Sequence, residues 1–236
     1  MSIYSAPMEQ LPDYSEADWL RVAAGGELFA GLDPPGYPAR ARIFHAIYED
    51  PSGSREPQEG SVDASGGLIE GPDDWVRIRW RDLASREGIT FGSEVLERGP
   101  RGVSEFWSPM LIRTEGWLES QQPPPIGSLD AQSFTRMVQL ITREVPDTDI
   151  IVYYCPLVTP NSYNDEPTIY RGRLSDLRQF TVSRGIHNSP QNWWAIDRSW
   201  IVYTDVDLPT TVVSGPVNLI EALLGDEWLE SYRLPP

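Results

Sequence analysis

Between Pro190 and Gly215 the chain reads PQNWWAIDRSWIVYTDVDLPTTVVSG, which places three of its nine tryptophans beside two runs of β-branched and aromatic residues. SWIVYTDV and PTTVVSG are rich in β-branched and aromatic residues, and Leu208–Pro209 separates them, so the pattern predicts a strand, a turn and a second strand. Upstream, TDIIVYYCPL is continuously apolar; a strand of that kind is buried on both faces and lies centrally in a sheet. SLDAQSFTRMVQLITREV changes the period: Phe134, Met137, Val138, Ile141 and Val145 recur on one side of a helix. A second helix, PVNLIEALLGDEW, has Pro216 at its start and Gly225 at its end.

The N-terminal half yields shorter elements. SEADWLRVAAGG reads as a helix capped by Ser15, with Trp19, Leu20, Val22 and Ala23 as its apolar stripe. ARARIFHAIY reads as one strand with Ala41, Ile43, His45 and Ile47 on one face. WVRIRWRDLASREG begins as a strand and turns helical at Trp80, leaving Arg77, Arg79 and Arg81 as a basic row that suits the wet face of a strand paired with acids or an anion site. TIYRGRL and LRQFTV read as short strands. With 19 Gly and 22 Pro, the chain favours many short elements over a helical bundle. The expectation is α+β: a single domain over residues 1–236, with a mixed or mainly antiparallel sheet and a few short helices. Residues 50–74 carry seven acids, one arginine and little to bury, which predicts a long mobile acidic loop within that domain.

Composition removes several chemistries. All 19 basic residues are arginine, which excludes a Schiff-base lysine and a phosphate-loop lysine. His45 and His187 are too few for a three-histidine metal site, and neither a metal nor a cofactor is expected. The sequence carries no G-x-S-x-G elbow, H-E-x-x-H or paired C-x-x-C. Cys155 follows an apolar run and reads as a buried inert thiol. No apolar stretch reaches the roughly 18 residues of a membrane span, and the first residues lack a secretory signal pattern, so a cytoplasmic protein with no membrane partner is expected.

The formal charge of −16 concentrates at the N-terminus, where residues 1–75 hold 14 acids against 4 arginines. Nucleic acid needs clustered basic residues and is a poor partner; a basic protein is a favourable one. Asp205 and Asp207 sit at strand spacing, roughly 6.5–7 Å apart. That spacing overlaps the carboxylate separation of an inverting glycosidase, so a carboxylate-dependent hydrolase is an alternative beside a structural role. His187, in a polar turn, is a candidate base; His45 alternates with isoleucines and reads as a satisfied core histidine.

NWWAIDRSWIVYTDVDLPTTVVSG followed by LIEALL resembles a family of uncharacterised proteins from high-GC Gram-positive bacteria. Members carry a tryptophan pair, a D-R-[SA]-W turn, a strand ending in acid-x-Asp, then T-x-V-x-G and a short helix. ARIFH, WRDLASREG, PPPIGSLD and YRGRL are similar to its other landmarks, so the resemblance spans roughly residues 38–230. After DIIVYYC the chain has PLVTPNSYNDEP, where the family shows a tryptophan- and glycine-rich stretch. The resemblance implies a unified domain and no established activity. The composition predicts an acidic binding module, most simply an immunity-type inhibitor that neutralises a toxin or another basic protein. Its expected contact residues are Tyr163, Asp165, Glu166, Asp205 and Asp207, with Trp194 or Tyr163 as an aromatic anchor. A non-catalytic structural or regulatory module is the alternative reading.

Overall fold

The computed structural model describes residues 8–23, 34–53, 74–86, 120–122, 124–155, 167–183, 188–205 and 208–235. Along these the chain forms β1 (Glu9–Gln10), α1 (Asp18–Ala23), β2 (Ala39–Phe44), β3 (Ile47–Glu49), β4 (Val76–Ile78), α2 (Trp80–Arg86) and β5 (Gln121–Gln122). It continues through α3 (Ala131–Glu144), β6 (Asp149–Tyr154), β7 (Thr168–Arg173), α4 (Leu177–Ser183), β8 (Asn192–Ala195), β9 (Ile201–Thr204), β10 (Thr210–Gly215), α5 (Val217–Leu224) and β11 (Ser231–Leu234). The fold is α+β. One sheet has the order β1-β7-β6-β8-β9-β10-β2-β11, a second has β4-β3-β5, and every pairing among the described residues is antiparallel.

β6 lies inside the large sheet, as its apolar run predicts, and alternation divides it between two cores. Ile150, Val152 and Tyr154 face the main core with Trp193, Trp200, Val202 and Val213, under helices α3, α4 and α5. Ile151, Tyr153 and Cys155 face the opposite side with Trp194 and Ile201, under the N-terminal segment. A third, smaller core joins Phe44, Ile47, Trp80 and Leu83 between the small sheet, α2 and the large sheet.

α3 follows the sequence closely. Asp130 caps it by accepting from the backbone N–H groups of Gln132 (3.1 Å) and Ser133 (3.0 Å), and Phe134, Met137, Val138 and Ile141 are all buried. Gly215 has a packing reason: a Cβ there would stand 2.8 Å from Trp200 Cβ on the neighbouring strand, so only glycine fits. Trp193 and Trp200 meet edge to face at 5.4 Å beneath that contact.

Three expectations are corrected. The stretch ARARIFHAIY is not one strand. It breaks at His45–Ala46, because Phe44 and Ile47, which would point oppositely in one strand, both enter the third core. LRQFTV is helical: Leu177, Phe180 and Thr181 are buried at helical spacing, which places α4 against the main core. The strand from Trp200 ends at Thr204 and does not run to Asp207. The acidic loop expected over 50–74 lies mostly outside the described residues; at its start Asp50 accepts from Ser52 N–H (3.1 Å) and Oγ (2.6 Å).

Candidate functional site

The second face of the large sheet is covered by the chain that enters from β1. Glu9 and Gln10 pair with Arg171 and Tyr170 on β7, and Leu11 N–H donates to Ile169 O at 2.8 Å. Pro12 then turns the chain off the sheet edge. The expected Ser15 cap is not formed: Ser15 is the first residue of the 3₁₀ turn, which has Tyr14 at its N-cap and no side-chain cap bond, and Asp13 Oδ1 closes the turn before it by accepting from Ser15 Oγ (2.6 Å) and Ser15 N–H (3.0 Å). Those two bonds, the hydroxyl's first, hold the Asp13 carboxyl below the usual range, so it stays ionised. Ala17 and Leu20 point inward onto the second core, and the other side of the segment is acidic. Between Met8 and Leu20 stand Glu9, Asp13, Glu16 and Asp18, with no arginine.

Aromatic rings border this acidic strip. Tyr14, Trp19 and Tyr37 are half-buried and pack on the second core. Trp19 meets Trp194 edge-on at 5.8 Å, and the Arg198 guanidinium lies 4.9 Å from the Trp19 ring centroid. Arg198 owes its position to the turn after β8. Its N–H donates to Ala195 O at 2.7 Å and its φ is 59°, a left-handed conformation that costs a non-glycine residue of the order of 1 kcal/mol. The neighbouring Asp197 is kept ionised by Ser199, whose side-chain and backbone bonds lower its carboxyl. Burial pushes the Tyr37 hydroxyl up to about 12; the Arg198 charge opposes this and Asp197 adds to it. Tyr37 is therefore a neutral donor at any physiological pH.

Of the contact residues expected from the sequence, Trp194 and Asp205 fall among the described residues. Trp194 is 1% exposed and belongs to the second core, so it does not serve as a surface anchor. Strand alternation sends it inward, and α1 lays Trp19 over it. Asp205 lies just beyond β9, on the same sheet face as Tyr203, whose hydroxyl donates to Asp205 Oδ2 at 2.6 Å. Tyr163, Asp165, Glu166, Asp207 and His187 lie outside the described residues.

The other candidates are engaged in the fold. His45 is fully buried, with Nδ1–H donating to Pro125 O (2.6 Å) and Nε2 accepting from the Thr211 hydroxyl (3.0 Å). Burial drives its pKa down to about 4, so it is neutral at pH 7 and both ring nitrogens are occupied. Cys155 is buried and unbonded to any other cysteine, as expected. The row of Arg77, Arg79 and Arg81 is a docking device rather than a simple wet face. Arg77 donates to Trp228 O and lies 4.7 Å from that ring's centroid, Arg79 donates to Glu227 O (2.6 Å), and Arg81 pairs with Glu230 (3.0 Å). Among the described residues no group of three or more histidine, cysteine or acidic side chains is placed to hold a metal ion, and no helix is long and apolar enough to cross a membrane.

Sequence reading missed Trp19 and Tyr37 as surface groups. The available signal was the density of acids around Trp19 in LPDYSEADW, which marks a helix with one wet side. No protein-family model, curated protein or solved structure matches this chain.

Proposed function

We propose that this protein is a non-catalytic binding module that seats a basic protein partner on the acidic, aromatic-bordered face formed by residues 9–19 and the turn at 196–199. An inhibitor of the immunity type, which occupies the basic surface of a toxin, is the form of partner binding this reading favours. The observation that carries it is the strip of four acids without an arginine beside the half-buried Tyr14, Trp19 and Tyr37. Carboxylates complement a basic cleft and speed encounter, while tryptophan, tyrosine and arginine dominate binding hot spots. The net charge of −16 adds a long-range field of the same sign. Asp205, on the same sheet face at the far end of β9, extends the acidic surface. Its bond from Tyr203 suits a fixed charge better than a catalytic one.

Affinity capture from native cell extract tests this, using the parent chain, Asp13→Asn/Glu16→Gln/Asp18→Asn, and Trp19→Ala. The charge variant should slow association of the captured basic protein at low salt, and Trp19→Ala should speed its dissociation. A captured partner indifferent to both variants would refute the assignment of this face.

A further inference from the structure

The helical side of the molecule carries a second surface of opposite character. The outward face of α3 presents Gln132, Thr135 and Gln139 along one line, and α4 approaches from the side with Arg178. Two adjoining hollows of about 410 and 400 Å³ share Thr135, Gln139 and Arg178, so together they form one open groove along α3. Trp228, 37% exposed, closes the end nearest the start of α3. Arg136 and Arg143 also line the groove, and among the described residues no acidic side chain does. In a chain with 35 acids against 19 arginines, a lining whose charged side chains are arginines departs from the average surface.

The three arginines are not equivalent. Arg136 is held by Asp226 at 2.6 Å, and Arg143 by Glu144 at 2.7 Å. Asp226 is well fixed. Burial pulls its carboxyl up, but the Arg136 bond and the N–H groups of Leu229 and Trp228 outweigh this and leave it lowered. Arg178 is different: its guanidinium has no ion pair or hydrogen bond among the described residues. The first N–H groups of α3 are already capped by Asp130, so the positive character of the groove comes from its side chains.

We propose that this groove binds an extended, carboxylate-bearing peptide segment of a partner protein, with Arg178 as its charge-reading residue. From Gln132 to Thr142 the helix rises roughly 15 Å, which matches about five residues of extended chain. Gln132 and Gln139 supply amide donors and acceptors for a peptide backbone, Arg178 offers a planar fork to a carboxylate, and Trp228 forms an apolar shelf at one end. The groove lies across the large sheet from the acidic strip, so the inference stands independently of that face.

The probe is a fluorescein-labelled peptide, Gly-Glu-Leu-Glu-Leu-Glu-Gly, followed by fluorescence anisotropy against the full chain in about 0.15 M salt. There the Debye length of about 8 Å confines the field of the distant acids. The Glu peptide should bind, its Gln counterpart should bind about tenfold more weakly, and Arg178→Gln should weaken the Glu peptide by a similar factor. Arg178→Lys should recover part of the loss. Arg178 is exposed and has no partner among the described residues, so these variants should keep the parent's unfolding midpoint. Asp13→Asn/Glu16→Gln/Asp18→Asn, altered on the opposite face, should change the affinity no more than about twofold. Failure of the Glu peptide to bind, equal affinity for both peptides, or indifference to Arg178→Gln would each overturn the proposal. So would sedimentation showing self-association that Arg178→Gln abolishes, because the occupant would then be a second copy of this chain.

Discussion

Lowering the pH from 7 to 5 should destabilise the fold through His45 before most carboxylates titrate. In the unfolded chain His45 has its ordinary pKa of 6.5, whereas in the folded chain burial lowers it to about 4. Above pH 6.5 both states are neutral and the fold has its full stability. As pH falls through 6.5 the unfolded state takes up the proton and the folded state does not, so stability is lost down to about pH 4, where the folded imidazole protonates as well. The gap between the two pKa values, at about 1.4 kcal/mol per tenfold, is worth roughly 3 kcal/mol, of which about 2 kcal/mol is already lost at pH 5. The cause is local. Nδ1–H donates to Pro125 O, Nε2 accepts from Thr211, and the Thr204 hydroxyl then donates to Thr211 Oγ1 (2.8 Å), so a proton added to this fully buried ring would meet Thr211 at the one position it could occupy. Urea unfolding between pH 7 and pH 5 measures this, with His45→Asn as the reference, because asparagine keeps a donor toward Pro125 O without a titrating ring. The parent should lose about 2 kcal/mol more than His45→Asn across that interval. Carboxylate terms are common to both chains and cancel. Equal pH slopes would refute the reasoning.

The remaining predictions concern packing and the sheet face. Trp200→Ala removes a fully buried ring that packs on Trp193 at 5.4 Å and should cost about 3–5 kcal/mol, read as a lowered urea midpoint. Gly215→Ala forces a methyl to 2.8 Å from Trp200 Cβ and should cost about 1–3 kcal/mol by the same measurement; combining it with Trp200→Ala should recover part of that loss. Asp205→Asn should cost about 1 kcal/mol through the weakened Tyr203 bond, and it should slow capture of a basic partner without changing the folded circular dichroism spectrum.

The parts of the fold legible in sequence are those where one local signal agrees with its surroundings. α3 combines a capping aspartate with a helical stripe, and both serve one contact with the main core, so pattern and packing coincide. In β6 an uninterrupted apolar run means burial on both faces, and the sheet supplies two cores to meet it. The failures have the opposite cause. At His45–Ala46 the chain leaves one sheet for another, and the deciding contacts, His45 N–H to Pro209 O and Phe44 N–H to Glu230 O, come from more than 150 residues away. No local pattern reports them. In α4 the sequence LRQFTV admits both periods, and it is packing of Leu177 and Phe180 on the main core that selects the helix.

The same division governs the candidate site. Acidity was legible because charge is additive along a chain, and an excess of 14 acids over 4 arginines in the first 75 residues survives any fold. The outer aromatic ring was not, because exposure belongs to layers. Trp194 and Trp19 are both tryptophans beside polar residues, and what separates them is which one lies against the sheet. β8 points Trp194 inward, and α1 crosses above it with Trp19 as the outer ring, so the outer tryptophan is the one able to meet a partner. Arg198 then bears on the same ring from a left-handed turn position that glycine or asparagine would occupy at lower cost. If that placement serves binding rather than folding, Arg198→Gly should leave stability unchanged or raise it slightly, while hastening dissociation of the basic partner. If the contact serves folding, the urea midpoint should fall instead, and dissociation should be unchanged.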